Sequence, residues 1–158
     1  MKITIKENVV YPKTLQYHLT PEAIEGMKPV IQDMLEKEIL QEIMWSPCNS
    51  VIMGLKKPSE KWRTVQDLRK INQIGVPCCS AVPNPAVILF QIPHDAEWFT
   101  AIDLCPAFFS IPLAEESRFL FAFRFLDKTL TWCRVPQGYT ESPSIFNQIL
   151  KKNLETLE

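Results

Sequence analysis

An α+β fold, with helices packed on a mixed or antiparallel sheet, is predicted by three features of the sequence. Thr20-Pro21-Glu22 opens a stretch in which Ile24, Met27, Ile31, Met34 and Leu35 recur at helical spacing. Two short apolar runs, 49–55 and 62–68, flank a polar, proline-bearing connection. Phe119, Phe121, Phe123 and Phe125 then alternate with period two. The composition, 46% hydrophobic and 22% charged, is that of a chain with a packed core, and 158 residues suffice for one domain or two small lobes.

Taken in order, residues 1–19 contain Tyr11-Pro12 and little periodicity, and read as an extended lead-in. A hydroxyl N-cap, a proline at the first helical position and an acid in the first turn start a helix that its apolar face carries to about Ile39. The two apolar runs form a hairpin with Lys56 to Lys61 at its tip. Residues 73–83 read as irregular, and Asn84-Pro85 starts a short helix through about Phe90. Trp98 to Leu104 is nearly all apolar and ends in Asp103, which predicts a buried central strand. The alternating phenylalanines mark a strand with one aromatic face, and Asp127-Lys128 turns it into a partner running from Leu130 to Val135. Ser142-Pro143 opens a last helix with Ile145, Phe146, Ile149, Leu150 and Leu154 inward. Thirteen prolines against four glycines suggest stiff connections, and no repeat or linker stands out.

Several functional classes are disfavoured. The five cysteines (Cys48, Cys78, Cys79, Cys105, Cys133) are odd in number and show no CxxC spacing, and neither His18 nor His94 lies near a cysteine pair. Reduced thiols and no zinc site are expected. No apolar stretch approaches the roughly 18 residues of a membrane span, and the N-terminus lacks a signal-peptide pattern. A soluble protein of the cytoplasm is the expectation.

Three segments carry chemistry. Between Lys56 and Lys70 six cations (Lys56, Lys57, Lys61, Arg63, Arg69, Lys70) face two carboxylates, Glu60 and Asp67. That local +4 sits in a chain of net charge −1. Such a cluster suits a triphosphate or a nucleic-acid backbone, although a charge run is commonly just a solvated face. Asp103, at the end of an apolar run, stands where α/β enzymes place metal ligands, or is a turn-forming aspartate. The run Val135-Pro136-Gln137-Gly138-Tyr139 makes a tight turn into a helix, which can meet a phosphate or base or be plainly structural.

The order of these motifs is more specific than any one of them. Lys57-Pro58 and Trp62-Arg63-x-Val65-Gln66-Asp67-Leu68-Arg69 are followed by Val82-Pro83-Asn84-Pro85. Then come Phe99-x-x-Ile102-Asp103-Leu104-x-x-Ala107-Phe108-Phe109, Pro136-Gln137-Gly138 and Ser142-Pro143-x-x-Phe146. In register from about Tyr11 to Leu157, this pattern resembles the reverse transcriptase of gammaretrovirus-like elements, the class of endogenous retroviruses related to murine leukaemia virus.

The resemblance implies a palm-type polymerase fold. Residues 20–83 would be the fingers and 84–158 a partial, interleaved palm. It implies that Lys57 and Arg63 hold the triphosphate of an incoming deoxynucleotide, that Phe108 is the steric gate beneath its sugar, and that Gln137 contacts the nucleotide. Asp103 would be the first catalytic carboxylate, a ligand of both Mg²⁺ or Mn²⁺ ions of a two-metal site. Lys56, Lys61, Arg69 and Lys70 are the candidate contacts to an RNA or DNA template-primer. Asp103, Phe108 and Gln137 are expected to converge on one cleft facing Lys57 and Arg63.

Three departures from the family pattern stand out. Pro106 occupies the place of a second acid, Cys48 that of an aromatic residue, and no Tyr-x-Asp-Asp motif occurs. The thumb, connection and RNase H regions are also absent from this sequence. Three readings follow: a reverse-transcriptase fragment inactive alone, a non-enzymatic module binding nucleic acid or protein through the basic hairpin, and a polymerase component completed by a partner chain. An unfinished palm sheet would also favour self-association.

Overall fold

The computed structural model describes residues 1–77, 84–100, 103–104 and 107–155. Helix α1 spans Pro21–Glu36 and starts as its capping residues dictate: Thr20 is extended and its hydroxyl accepts from the Ala23 N–H at 3.2 Å. Ala23, Met27 and Ile31 form its buried face. The helix stops three residues short of Ile39. The Ile39 N–H donates to Met34 O (2.9 Å) and the Glu38 N–H to Leu35 O (3.1 Å), the bonds of a Schellman turn, with Glu38 at φ 53° in the position that favours glycine. The chain then enters β1 (Leu40–Glu42), where Leu40 is only 2% exposed. Helical period counting overshoots because Leu40 is buried by a distant strand, not by the helix.

The hairpin forms as expected from β2 (Ile52–Lys56) and β3 (Trp62–Gln66), antiparallel with Ile52 opposite Gln66 and Lys56 opposite Trp62. Helix α1 lies hard against it. A Cβ at Gly26 would stand 2.3 Å from the Trp62 indole, so only glycine permits this approach. Helix α2 (Arg69–Ile74) follows, its last two residues falling in the stretch 73–83 that was expected to be irregular, and residues 78–83 lie outside the described residues. Asn84 caps α3 (Pro85–Phe90) through its side chain, which accepts from the Ala86 N–H at 2.9 Å. None of α3 is buried, and Phe90 is 90% exposed.

Two expected strands differ. Of the run from Trp98 to Leu104, the described residues 98–100 and 103–104 form no strand, and Trp98 and Phe99 are 90% and 69% exposed. An apolar run reports a capacity for burial, but a strand also needs a neighbour to take its N–H and C=O groups, and none of the described strands pairs with this one. The alternating phenylalanines divide. A short helix α4 (Glu115–Arg118) leads into a 3₁₀ turn at Phe119–Phe121, and only Phe123–Phe125 is strand, β4. The 3₁₀ turn is held by partners remote in sequence: the Ser46 hydroxyl donates to Phe119 O (2.7 Å), the Thr131 hydroxyl donates to Arg118 O, and Tyr11 meets the Phe119 ring edge-on at 5.4 Å.

Strand β5 (Lys128–Trp132) lies between β4 and β1, giving the antiparallel order β1-β5-β4 with Leu40 opposite Trp132 and Phe123 opposite Leu130. Beyond β5 the pairing continues irregularly, the Leu113 N–H donating to Cys133 O (2.8 Å) and the Val135 N–H to Ile111 O (3.0 Å). Helix α5 (Ser142–Leu154) buries Ile145, while Leu154, expected inward, is half exposed. The lead-in straps the back of the molecule: the Ile3 N–H donates to Ser117 Oγ (2.9 Å), and Gln16 exchanges two 2.9 Å bonds with the backbone of Ile52. One core runs through the whole, including Ile3, Met27, Ile52, Phe121, Leu130 and Ile145.

The strained Glu38 offers a direct check of the α1 terminus. Because a side chain at φ 53° costs about 1 kcal/mol and Glu38 is exposed, Glu38→Gly is expected to raise unfolding free energy by up to about 1 kcal/mol in urea. No gain, with the native fold retained, would show that the turn is not strained.

Candidate nucleotide-binding cavity

The hairpin tip is a tight loop in which the Lys57 N–H donates to Lys61 O (2.8 Å) and the Glu60 N–H to Lys57 O (2.9 Å). Its cations are not equivalent. Lys56 is held by Glu60 at 2.6 Å and lies 3.7 Å from Glu22. Arg69 forms a two-pronged pair with Asp67, Nε to Oδ1 at 3.0 Å and Nη2 to Oδ2 at 2.7 Å. Lys70 donates to the Thr14 hydroxyl at 3.1 Å. Lys57, Lys61 and Arg63 have no carboxylate partner among the described residues. Their charge, with that of Lys70, which bonds only a neutral hydroxyl, is open to an anionic ligand.

Beneath the tip lies a cavity of about 340 Å³, within the size range of small-ligand pockets. Lys57, Arg63, Gln66, Phe109, Gln137 and Gly138 contribute to its wall, and none of the described residues lining it is acidic. Three of the residues singled out in the sequence, Lys57, Arg63 and Gln137, are thus brought together. Its floor is a buried polar knot: the Trp132 indole donates to Gln66 Oε1 at 2.7 Å, and Gln66 Nε2 donates to Phe121 O at 3.0 Å. Phe109 stacks on Trp132 with ring centroids 5.3 Å apart.

The other two residues are placed differently. Phe109, not Phe108, lines the cavity, while Phe108 packs edge-on against Phe146 at 6.1 Å. Asp103 is exposed and is not part of this wall. Its neighbour Leu104 lines an adjacent apolar cavity of about 720 Å³ that shares Met34 and Phe109 with the first. Cys105 and Pro106 lie outside the described residues.

Gln137 is presented by a turn in which Gly138 has φ 92°, a conformation that favours glycine. The Ser142 hydroxyl donates to Pro136 O (3.0 Å). Asn72 bridges the turn, donating to Gly138 O at 3.0 Å and accepting from the Thr140 N–H at 3.1 Å. Sequence reasoning missed the positions of Gln66, Asn72, Phe109 and Trp132. Two are amides whose partners are backbone groups more than fifty positions away, and spacing carries no sign of that. Of the described thiols, burial pushes Cys48 up to about 11 and raises Cys133 as well, which disfavours the reactive thiolate.

Residues 55–158 match the family described as reverse transcriptase (RNA-dependent DNA polymerase). The chain belongs to the reverse transcriptase family. It is 38% identical over 157 residues to the Gag-Pol polyprotein of Walleye dermal sarcoma virus, a match covering 99% of this chain and 9% of that protein. It is 40% identical over 146 residues to the Gag-Pol polyprotein of Feline leukemia virus (88% and 8%). To the Pol polyprotein of Feline endogenous virus ECE1 it is 37% identical over 159 residues (96% and 15%). The chain therefore spans a small part of these relatives. Its fold is similar to the Prototype Foamy Virus protease-reverse transcriptase, with a TM-score of 0.85 at 28% identity over 99% of this chain and 21% of that one. A foamy viral protease-reverse transcriptase solved in complex with double-stranded DNA superposes with a TM-score of 0.77 at 27% identity, over 98% of this chain and 27% of that one. The reverse transcriptase match takes in the hairpin tip, the cavity floor and the Gln137 turn.

Two expected outcomes test this construction. Gln66→Leu leaves the Trp132 N–H and Phe121 O buried without partners, and is expected to cost about 2–4 kcal/mol in chemical denaturation. A loss under about 0.5 kcal/mol would mean the knot contributes nothing. The Arg69 pair holds the Asp67 carboxyl at about 2, below its usual value of 3.8. A depressed carboxyl stabilises the fold above the unfolded value, and that contribution is lost as pH falls through about 2. Asp67→Asn should therefore flatten the acid limb of the stability–pH curve, by about 1 kcal/mol at most for so exposed a pair. An unchanged acid limb would remove the pair from the account.

Proposed function

We propose that this chain is the fingers (residues 20–83) and the first part of the palm (84–158) of a reverse transcriptase from an endogenous retroviral Pol protein. In this reading the Lys57–Arg63–Gln137 cavity receives a deoxynucleoside triphosphate. The observation that carries it is the meeting of two residues of the hairpin with one from the turn before α5, in one wall where no described residue is acidic. Two unpaired cations offset the charge of a triphosphate, and the Gln137 amide supplies a neutral donor and acceptor to the nucleotide. Lys61 at the tip, with Lys70, is the best-placed contact to a template-primer, since Lys56 and Arg69 already hold carboxylates. A cytoplasmic setting suits the buried, protonated Cys48.

The divalent metals used by the family do not fit the described residues. Mg²⁺ is ordinarily captured by two or more carboxylates with substrate phosphates, and a two-metal site needs several. Here Asp103 is a single exposed carboxylate, and no group of three His, Cys, Asp or Glu residues among the described residues could hold a metal ion. The proposed activity of the chain by itself is thus binding, not phosphoryl transfer. A second reading, a nucleic-acid-binding module without nucleotide selectivity, is favoured by the unpaired Lys57, Lys61 and Arg63. Self-association is a corollary, since α3, Trp98 and Phe99 present apolar side chains to solvent.

The test is a titration of the pure chain with a deoxynucleoside triphosphate and with a primer-template, alongside primer extension in Mg²⁺ or Mn²⁺. Nucleotide binding that weakens about tenfold in Lys57→Ala or Arg63→Ala, and hardly at all in Lys56→Ala, is expected. No extension product is expected. Extension abolished by Asp103→Asn would overturn the binding-only reading, and salt-sensitive primer-template binding without any nucleotide binding would favour the second.

A further inference from the structure

We propose that Asn72 is a positioning residue whose carboxamide holds the 136–140 turn at the distance from β3 at which Gln137 and Arg63 act on one ligand. The inference rests on the nucleotide-binding reading above. Internal bonds of the turn, the Ser142 hydroxyl to Pro136 O and the Ser142 N–H to Tyr139 O (3.0 Å each), fix its local shape. They tie it only to the start of α5. Asn72 is on α2, one short connection after β3, the strand that carries Arg63.

Its two bonds run in opposite senses across a single turn, to Gly138 O and from the Thr140 N–H. They bracket the turn immediately after Gln137 and refer it to the segment of Arg63. Leu68 Cδ1, in ordinary van der Waals range of Gly138, lies between the same two segments. The task demands an uncharged donor and acceptor in one plane, which only a carboxamide of this length supplies here. Aspartate accepts from Thr140 but turns a second acceptor toward Gly138 O. Protonation gives it back a donor.

Deoxynucleoside triphosphate affinity is measured for the unsubstituted chain, Asn72→Ala, Gln137→Ala and the double variant, with thermal unfolding of each. Asn72→Ala is expected to weaken binding about tenfold while unfolding stays cooperative. Gln137→Ala should do the same, and the double variant should bind no more weakly than Gln137→Ala alone, because Asn72 acts through Gln137. Asn72→Asp, nearly isosteric, should bind weakly relative to the unsubstituted chain at about pH 7 and narrow that gap as pH falls toward about 4, where its carboxyl protonates. This variant carries the comparison if Asn72→Ala does not fold. Losses that add in the double variant, or a gap in Asn72→Asp that does not depend on pH, would overturn the positioning role. Unaltered affinity in both Asn72 variants, with the unsubstituted chain binding, would overturn it alone. No binding by the unsubstituted chain removes the nucleotide reading and this inference together.

Discussion

The side chain of Gln66 ties the hairpin to the sheet at a buried point, beside the Ser50 N–H that donates to Ala122 O (3.0 Å). It stands at the end of β3, buried, and reaches both the 3₁₀ turn before β4 and the indole at the end of β5. A buried amide is tolerable only with its partners in place, so this geometry permits one relative placement of hairpin and sheet. The position of Arg63 over the cavity follows from it, as does that of Phe109, which stacks on the same indole. Further along β3, Gly26 lets α1 come within contact of Trp62. The cavity wall is thus assembled from three separately anchored pieces, and the precision of the knot is passed on to the ligand groups.

What the sequence made legible was whatever depends on neighbours in the chain. The start of α1 follows from Thr20 and Pro21, the hairpin from two apolar runs around a polar tip, and α3 and α5 from an asparagine cap and a Ser-Pro pair. The end of α1, the existence of β1 and the conversion of Phe119–Phe121 to a 3₁₀ turn were not legible, because each is decided by partners far away: Trp132 for Leu40, Ser46 and Thr131 for the turn. The run ending at Asp103 misled for a related reason, since hydrophobicity cannot announce whether a pairing strand is at hand. In the cavity, Lys57, Arg63 and Gln137 were named through the order of motifs, which carries information about space that spacing alone does not. The supporting amides of Gln66 and Asn72 went unnoticed because a polar side chain within a polar segment carries no mark of its partner.

Under the proposed reading, the charge arrangement separates binding from chemistry within one small region. The basic segment spends part of its charge internally, on Glu60, Glu22 and Asp67, and leaves Lys57, Lys61, Arg63 and Lys70 without a carboxylate among the described residues. The single carboxylate in question stands apart on an exposed stretch. A region so divided can attract and orient a polyanion while lacking the opposed charges that would hold metal ions to act on it.

The pairing of β1 with β5 has a consequence for how the molecule comes into being. Leu40 and Trp132 are opposite one another across about ninety residues of chain, and among the described residues β1 pairs with no other strand. On a ribosome, α1 and the hairpin emerge and can dock long before β5 leaves the exit tunnel, whereas β1 must wait with its hydrogen-bonding groups bare. Nascent chains would therefore pass through a stage in which Leu40 and the sheet-facing side of α1 are open to chaperones, and the rate of the final step would be set by closing that long loop.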